Sequence, residues 1–388
     1  NASALSTYGE INEWDVSLIS DMSGLFYGLN SFNENISLWD VSNVTNMGYM
    51  FSGAENFNSD IGNWNVLNVS NMASMLQGAT NFNQDISGWD VSSVIDIYNM
   101  FHEAASFNAD LSSWDVSNVE NMGDMFRSAI SFNQDISSWD VSNVMNMNSM
   151  FREATSFNQD ISSWDVSSVI HIHDMFHGAA SFNADLSSWD VSSSISMSGV
   201  FASATSFNQD ISSWNVANVT DMRHMFSQAM SFNQDISAWD VSNVADDGWG
   251  GIFDGTIDLS DNNKCEIHTS FSSNIYWPYD WSASCALVVN ELSLSPGYFK
   301  LHDNYPNPFN PITKIHYDLP KKSFVSINIY DVIGNKIKSL VNSVQDAGYR
   351  AVYWDATNDL GQSVSAGMYI YTVNAGKFRA TRKMALIK

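Results

Sequence analysis

"SFNQDISSWDVS" occupies residues 131–142, and the same twelve letters return at residues 156–167. The 25-residue offset extends far beyond this pair, because ten tryptophans follow it without an insertion or deletion. They are Trp14, Trp39, Trp64, Trp89, Trp114, Trp139, Trp164, Trp189, Trp214 and Trp239. A fixed period in this range is typical of a stacked repeat array. We therefore expect ten nearly identical coils that form one solenoid.

Residues 32–56 indicate how one coil is built. From Val44 onward the apolar residues are spaced by three and four, as on one face of a short helix that ends near Gly53. Residues 35–39 are compatible with an extended strand of about four residues. The sequence therefore predicts an α/β solenoid, with a short parallel strand and a short helix in every coil.

The net charge of −26 is distributed unevenly along the chain. Residues 1–290 hold 35 acidic and four basic side chains, whereas residues 291–388 hold seven acidic and twelve basic ones. The first part has a net charge of −31 and the second of +5, which indicates at least two units. An acidic array repels nucleic acid and anionic lipid, so we exclude both as partners. No apolar run approaches the roughly 20 residues of a membrane span, so we expect none.

The repeat pattern fails after Val244, where the methionine and phenylalanine columns end. An open coil exposes its core, so residues 245–290 are expected to form a terminal cap, with a helix from Ser260 to Phe271. An aromatic cluster would cover the last coil: Tyr276, Trp277, Tyr279 and Trp281. Cys265 and Cys285 lie within the cap and would form a disulfide in an oxidising compartment.

From Glu291 onward apolar and polar residues alternate, as in "FVSINIYDV" and "MYIYTV". Glycines stand between these runs, among them Gly334, Gly348 and Gly361. Period-two strands that are separated by glycine turns predict a small antiparallel sandwich of immunoglobulin type. The expected domains are therefore residues 1–244, the repeat array; residues 245–290, the cap; and residues 291–388, the sandwich.

The repeat pattern F-N-x-D-I-S-x-W-D-V-S-x-V-x-x-M-x-x-M-F resembles the BspA-like branch of leucine-rich repeat surface proteins over residues 8–253. The resemblance implies a solenoid of leucine-rich-repeat type in an extracellular, non-enzymatic surface protein. The sequence departs from the pattern at five positions: Leu76, Ile97, Ile172, Ser194 and Ile195. We expect local repacking there.

A second resemblance covers residues 298–388. The segment "NYPNPFNP" at residues 304–311, the Gly367-Met-Tyr motif and the terminal "KMALIK" are similar to the C-terminal sorting domain of the type IX secretion system. This resemblance implies export across a bacterial outer membrane by the type IX machinery and location at the cell surface. It also implies that Cys265 and Cys285 are oxidised.

Aspartates form a column that raises the question of metal binding. Carboxylates stacked about 5 Å apart repel by roughly 1 kcal/mol per neighbour even in water, so something must offset them. Backbone N–H groups at turns are one answer, and bound calcium is a second, because calcium prefers oxygen ligands. The third is a saline habitat that favours acidic surfaces. The candidate calcium ligands are Asp60, Asp85, Asp110, Asp135 and Asp160.

Histidines and arginines supply two further candidates. His173 and His177 stand four residues apart, a spacing that can hold a transition metal on a helix. His177 shares a column of the repeat grid with three other residues that can be cationic, His102, Arg127 and Arg152. This stripe would either balance nearby acids or dock an acidic surface of another copy, so it is a candidate interface.

Catalytic motifs are absent: the sequence contains no Gly-x-Ser-x-Gly and no metal motif of usual spacing, so we predict a non-enzymatic protein without a required cofactor. Two hypotheses remain. In the first, copies of the chain assemble into an extracellular filament or sheath, with a retained sorting domain as the connector. In the second, the chain is a monomeric adhesin whose serine columns, such as Ser87, Ser112 and Ser137, bind a surface glycan or protein.

Overall fold

A computed structural model describes residues 8–286, 296 and 298–387. The chain forms two compact units, Asn1–Ser284 and Cys285–Lys388. The first unit contains the repeats and the residues that cover the last coil. The second contains two antiparallel sheets.

The predicted α/β solenoid of leucine-rich-repeat type is wrong. Between residues 14 and 245 the backbone consists of turns, with neither a helix nor a strand of two residues or more. Each coil adds one isolated parallel bridge to its neighbour, from Asp21 with Asn46 to Ser196 with Asp221. The bridges keep the 25-residue offset, so the coils are stacked although they lack the expected strand and helix.

The hydrogen bonds of residues 47–54 explain why the helix does not form. The odd-numbered residues from 47 to 53 donate their N–H groups to carbonyls of the next coil at 2.7–2.9 Å. The even-numbered residues from 50 to 54 donate to the carbonyl three residues back at 2.9–3.1 Å. An α-helix would send every N–H to the residue four back and would leave none for the neighbouring coil. Successive turns give the same three-and-four apolar spacing that indicated a helix.

Two columns of left-handed residues maintain this alternation of turns. Tyr49 has φ of 60° and Gly53 has φ of 74°. The column of Tyr49 is left-handed in nine consecutive coils, although only two of its members are glycine: Gly24, Tyr49, Ser74, Asn99, Asp124, Ser149, Asp174, Gly199 and His224. A left-handed residue every few positions is incompatible with a continuous right-handed helix.

The core consists of aromatic columns that run along the stack. Within a coil, Phe51 and Phe57 stack with ring centroids 3.8 Å apart, and Phe51 lies 5.4 Å from Phe26 of the preceding coil. Each indole from Trp64 to Trp239 donates to a carbonyl of the preceding coil at 2.9–3.2 Å. These tryptophans are 3–4% exposed. They are therefore packing residues, and their rings are closed to a ligand.

Polar columns satisfy the backbone at the corners of the coils. The Asn133 side chain accepts from the backbone N–H of Asn158 at 2.9 Å, and the same ladder runs from Asn33 to Asn233. The Asp140 carboxylate accepts from the backbone N–H of Ser142 at 3.1 Å and from its hydroxyl at 2.7 Å. Backbone N–H groups are thus the neighbours of the aspartate columns.

The last coil is covered by a short 3-10 helix, Asp246–Trp249, and by helix α1, Asp261–Phe271. Ser260 caps α1 by accepting from the N–H of Asn263, as the sequence predicts. Trp277 packs edge-on against Trp249 at 5.1 Å, and Trp281 lies 5.4 Å from Phe253 of the last coil. This aromatic cluster closes the hydrophobic core at that end.

The second unit is a β-sandwich. Its strands are β1 (Lys300–Leu301), β2 (Thr313–Leu319), β3 (Ser323–Asp331), β4 (Lys336–Gln345), β5 (Gly348–Trp354), β6 (Gly367–Ala375) and β7 (Phe378–Leu386). They form one sheet in the order β1-β2-β5 and a second in the order β4-β3-β6-β7. The inner faces meet through side chains such as Ile315, Ile327 and Tyr371, which are fully buried. The predicted antiparallel sandwich of immunoglobulin type is confirmed.

The tryptophan column yields a prediction about stability. Trp139 is 3% exposed and donates to the Leu111 carbonyl, so Trp139→Ala should cost about 3–5 kcal/mol of unfolding free energy. Trp139→Phe keeps a ring and should cost about 1–2 kcal/mol, chiefly for the lost hydrogen bond. Urea unfolding monitored by circular dichroism measures both. Trp14 is 42% exposed and is the control; equal losses for Trp14→Ala and Trp139→Ala would contradict a packing role.

The aspartate turns yield a prediction about acid stability. The hydroxyl and N–H of the serine two residues on lower the pKa of Asp85, Asp135, Asp140, Asp160 and Asp190. A lowered folded-state pKa stabilises the protein above the ordinary aspartate value, and this contribution disappears as pH falls through the lowered value, below about pH 4. We expect the thermal midpoint to fall there.

Asparagine accepts the same turn bond without titrating, as Asn65 and Asn215 already do at 3.3 and 3.2 Å. A variant with all five of those aspartates changed to asparagine should therefore lose less thermal stability than the parent between pH 6 and pH 3. An unchanged acid profile would show that other groups control acid unfolding.

Candidate functional site

The turns at residues 21–28, and the equivalent eight residues of the later coils, form one surface of the stack, which we call the turn face. Every tyrosine, arginine and histidine between residues 9 and 253 belongs to it. They are Tyr27, Tyr49, Tyr98, His102, Arg127, Arg152, His171, His173, His177, Arg223 and His224. The turn face is thus chemically distinct from the rest of the coil surface.

The predicted interface column lies on the turn face, where its arginines are paired within the chain. The Arg127 guanidinium is 3.3 Å from the Asp124 carboxylate. Arg152 lies 3.0 Å from Asp174 of the next coil and 3.7 Å from Glu153. Both arginine side chains remain partly exposed, at 37% for Arg127 and 25% for Arg152. The stripe therefore balances nearby acids, and it also leaves charged groups at the surface.

The side chains of the two histidines of this column are 13% exposed for His102 and 29% exposed for His177. The His177 ring nitrogen Nδ1 is 3.1 Å from Asp174. Burial would raise the pKa of Asp174, yet His177 and Arg152 hold that pKa below its usual value. Burial lowers the pKa of His102, which contacts the Gln77 amide at 3.4 Å. These contacts join successive coils and fix the side chains in place.

Asp124 lies at the centre of a second polar group on the turn face. It is 5% exposed, and its carboxylate accepts from the Asn148 amide at 3.1 Å in addition to the Arg127 contact. Burial and the charge of Asp124 raise the pKa of the Tyr98 phenol. Tyr98 is half-buried, whereas Tyr49 is 47% exposed. The turn face thus combines ordered ion pairs with accessible aromatic rings.

The candidate metal ligands do not form a recognisable metal centre. Among residues 8–286 and the described part of the sandwich, no three histidine, cysteine, aspartate or glutamate side chains are placed to hold a metal. Each candidate calcium ligand accepts a hydrogen bond from the N–H two residues on, at 2.8–3.0 Å: Asp60, Asp85, Asp110, Asp135 and Asp160. His173 is half-buried, and His177 contacts Asp174.

The serine columns are largely occupied by structural hydrogen bonds. Ser87 donates both its N–H and its hydroxyl to Asp85, and the hydroxyl of Ser113 donates to the Ser87 carbonyl. The N–H groups of Ser112 and Ser137 donate to Asp110 and Asp135 in the same way. This surface has fewer uncommitted groups than the turn face for recognising a ligand.

Cys265 and Cys285 are both disulfide-bonded, and they are the two cysteines of the sequence. Cys265 lies on α1.

The columns of identical residues do not indicate the tyrosines of the turn face, because each tyrosine stands in a column of mixed residues. The signal was available, because every tyrosine, arginine and histidine of the repeats falls in one third of the 25-residue period. The turns decide which surface these residues occupy. The sequence predicts a helix in their place, so it does not indicate that surface.

Two families match parts of the chain. The family described as "Mycoplasma protein of unknown function, DUF285" matches residues 1–110, 84–181 and 160–262. The FlgD Ig-like domain matches residues 312–377, within the sandwich. No curated protein matches significantly. Among the described residues, no helix combines the length and apolar character needed to cross a bilayer.

Three solved structures resemble parts of the chain more weakly than the two families do. PorZ of Porphyromonas gingivalis, a surface component of the type IX secretion system, is 22% identical over 23% of this chain and 11% of its own, with a TM-score of 0.18. Latent PorU from the same organism is 20% identical over 23% of this chain and 9% of its own, with a TM-score of 0.20.

The DNA glycosylase AlkC of Pseudomonas fluorescens is 13% identical over 33% of this chain and 46% of its own, with a TM-score of 0.18. This chain therefore covers less than half of each of the three proteins, and TM-scores this low support no argument about fold or function. The DUF285 matches together span residues 1–262, well over half of the sequence. The chain therefore belongs to the DUF285 family of repeat proteins.

Proposed function

We propose that this chain is a non-enzymatic repeat protein of the bacterial cell surface whose copies assemble into an extracellular filament or sheath. In this proposal the type IX secretion machinery exports the chain, and the C-terminal sandwich connects one copy to the next. The observation that carries the proposal is the opposite charge of the two parts, −31 for residues 1–290 and +5 for residues 291–388. Opposite charges on one molecule favour contact between the unlike parts of neighbouring copies.

The sandwich has a suitable surface for such a contact. A pocket of about 290 Å³ is lined by residues that include Phe299 and Phe378, whose rings stack at 5.4 Å. Lys321 and Lys377 line the same pocket, and neither forms an ion pair within the described part of the sandwich. An apolar pocket with free lysines is complementary to an acidic surface that carries exposed apolar side chains.

Several features of the repeat stack support a structural role. Its coils bind one another through backbone, asparagine and tryptophan hydrogen bonds, so they form a regular stack with a constant 25-residue offset. Exposed apolar side chains stand beside acids on that stack, for example Leu38, which is 73% exposed and lies two residues from Asp40. Such a surface is suited to the lysine-lined pocket of another copy.

The proposal predicts assembly that depends on concentration and on salt. Full-length protein should form filaments at low ionic strength, and they should dissociate near 1 M salt because screening shortens to about 3 Å. Light scattering and negative-stain electron microscopy measure both. Particles that remain monomeric at every concentration and salt level would refute assembly and favour the adhesin hypothesis.

A charge-reversal pair tests the connector. Lys321→Glu with Lys377→Glu should weaken assembly about tenfold or more, because the pocket would then repel the acidic stack. Lys322→Glu with Lys336→Glu is the matched control, since it makes the same change in net charge at lysines that pair with Asp346 and Asp359. Equal effects of the two variants would argue against a specific connector pocket.

A further inference from the structure

We propose that the turn face is the surface through which two repeat stacks pair side by side, so that each stack lies against a second copy of this chain. This inference rests on the proposed assembly and adds a second contact to it. The connector would join copies along the filament, whereas the turn face would join them laterally.

The distribution of charge favours the turn face as the contact surface. Between residues 121 and 228 the turn face carries three arginines against four acids, which are Asp124, Glu153, Asp174 and Asp221. The remaining surface of the same coils carries seven aspartates and no arginine or lysine. Two copies that approach through any other surface bring like charges together. The turn face is the direction in which this repulsion is smallest.

The side chains of the turn face are of types that are common at protein interfaces, and some are already held in one conformation. Tyrosine and arginine dominate the binding energy of protein interfaces, and on this stack both are confined to the turn face. Arg223 is 50% exposed and is held by two hydrogen bonds to Asp221, at 2.8 and 2.9 Å. Side chains that are already fixed in place lose little entropy when a partner binds.

The repeat period favours a second copy over other partners. Coils joined by parallel bridges are spaced by about 4.8 Å, and a second copy has the same spacing. Contacts between two such stacks therefore stay in register from coil to coil. With both signs of charge on the face, a two-fold arrangement places the arginines of each copy near acids of the other.

Two turn-face variants test this inference in the full-length chain. Tyr49→Ser with Arg223→Ser uses the residue that other coils already have in those columns, Ser74 and Ser198 respectively, so the coil should fold normally. Arg127→Gln with Arg152→Gln copies Gln77 of the same column. Gln134→Glu with Gln209→Glu is the control, because it lowers the net charge by two, as the arginine pair does, but lies outside the turn face.

The measurements are sedimentation velocity over a range of concentrations and the width of negatively stained filaments, with thermal melts to verify folding. Wild type and control should form filaments two stacks wide. Either turn-face variant should weaken lateral pairing about tenfold and give filaments one stack wide.

The remaining outcomes separate this inference from the proposed function. Filaments whose width is unchanged by both folded turn-face variants would overturn lateral pairing and leave assembly intact. A wild-type chain that stays monomeric under all conditions would overturn both. A monomer that binds a glycan through the turn face, with binding lost in the variants, would also overturn pairing and support the adhesin hypothesis.

Discussion

The structure depends on the alternation of backbone hydrogen bonds in each turn segment. One N–H closes a turn within its own coil, and the next donates to the neighbouring coil at 2.6–3.2 Å. Neither set is sufficient alone, because turns without neighbours leave half of the donors unpaired and a single parallel bridge per coil is too small to be a sheet. Stacking is therefore a condition for folding each coil, as in other repeat proteins.

This constraint determines how the surface is used. Backbone groups at the corners must be satisfied in every coil, so asparagine, aspartate and serine occupy the same positions each time and bond to the adjacent backbone. The turn face has fewer such obligations, because only the first residue of each turn segment, such as Asn46, accepts a backbone N–H with its side chain, and the following backbone bonds are made between main-chain groups. Its side chains are free to differ from coil to coil, and the tyrosines, arginines and histidines occur there.

The charge of the protein has a structural origin and a functional consequence. At each corner an aspartate side chain accepts a backbone N–H. Because the coil is repeated, these aspartates contribute to a net charge of −31 over residues 1–290. Such a surface resists association with copies of itself except where the charge is compensated. The basic sandwich and the part of the turn face between residues 121 and 228, where three arginines face four acids, are the two places where compensation occurs, and they are the contacts that we propose.

The sequence by itself determined the period, the tryptophan column, the cap helix from Ser260 and the antiparallel sandwich. These features follow from side-chain identity. A tryptophan that recurs every 25 residues is buried beside the equivalent tryptophans of adjacent coils. Apolar residues that alternate with polar ones form strands with one buried and one exposed face. The predicted column of His102, Arg127, Arg152 and His177 also lies on one surface, because the period places equivalent residues above one another.

Only the tertiary structure decided the path of the backbone within a coil. Apolar residues at intervals of three and four suit a helix and a succession of turns equally, and the difference lies in whether the N–H groups bond within the coil or to its neighbour. Tyr49, Asp124 and His224 gave no local signal of their left-handed conformation, which contacts with adjacent coils impose. The local apolar spacing contains no information about hydrogen bonds to the neighbouring coil. It therefore predicts a helix and does not predict the turn face.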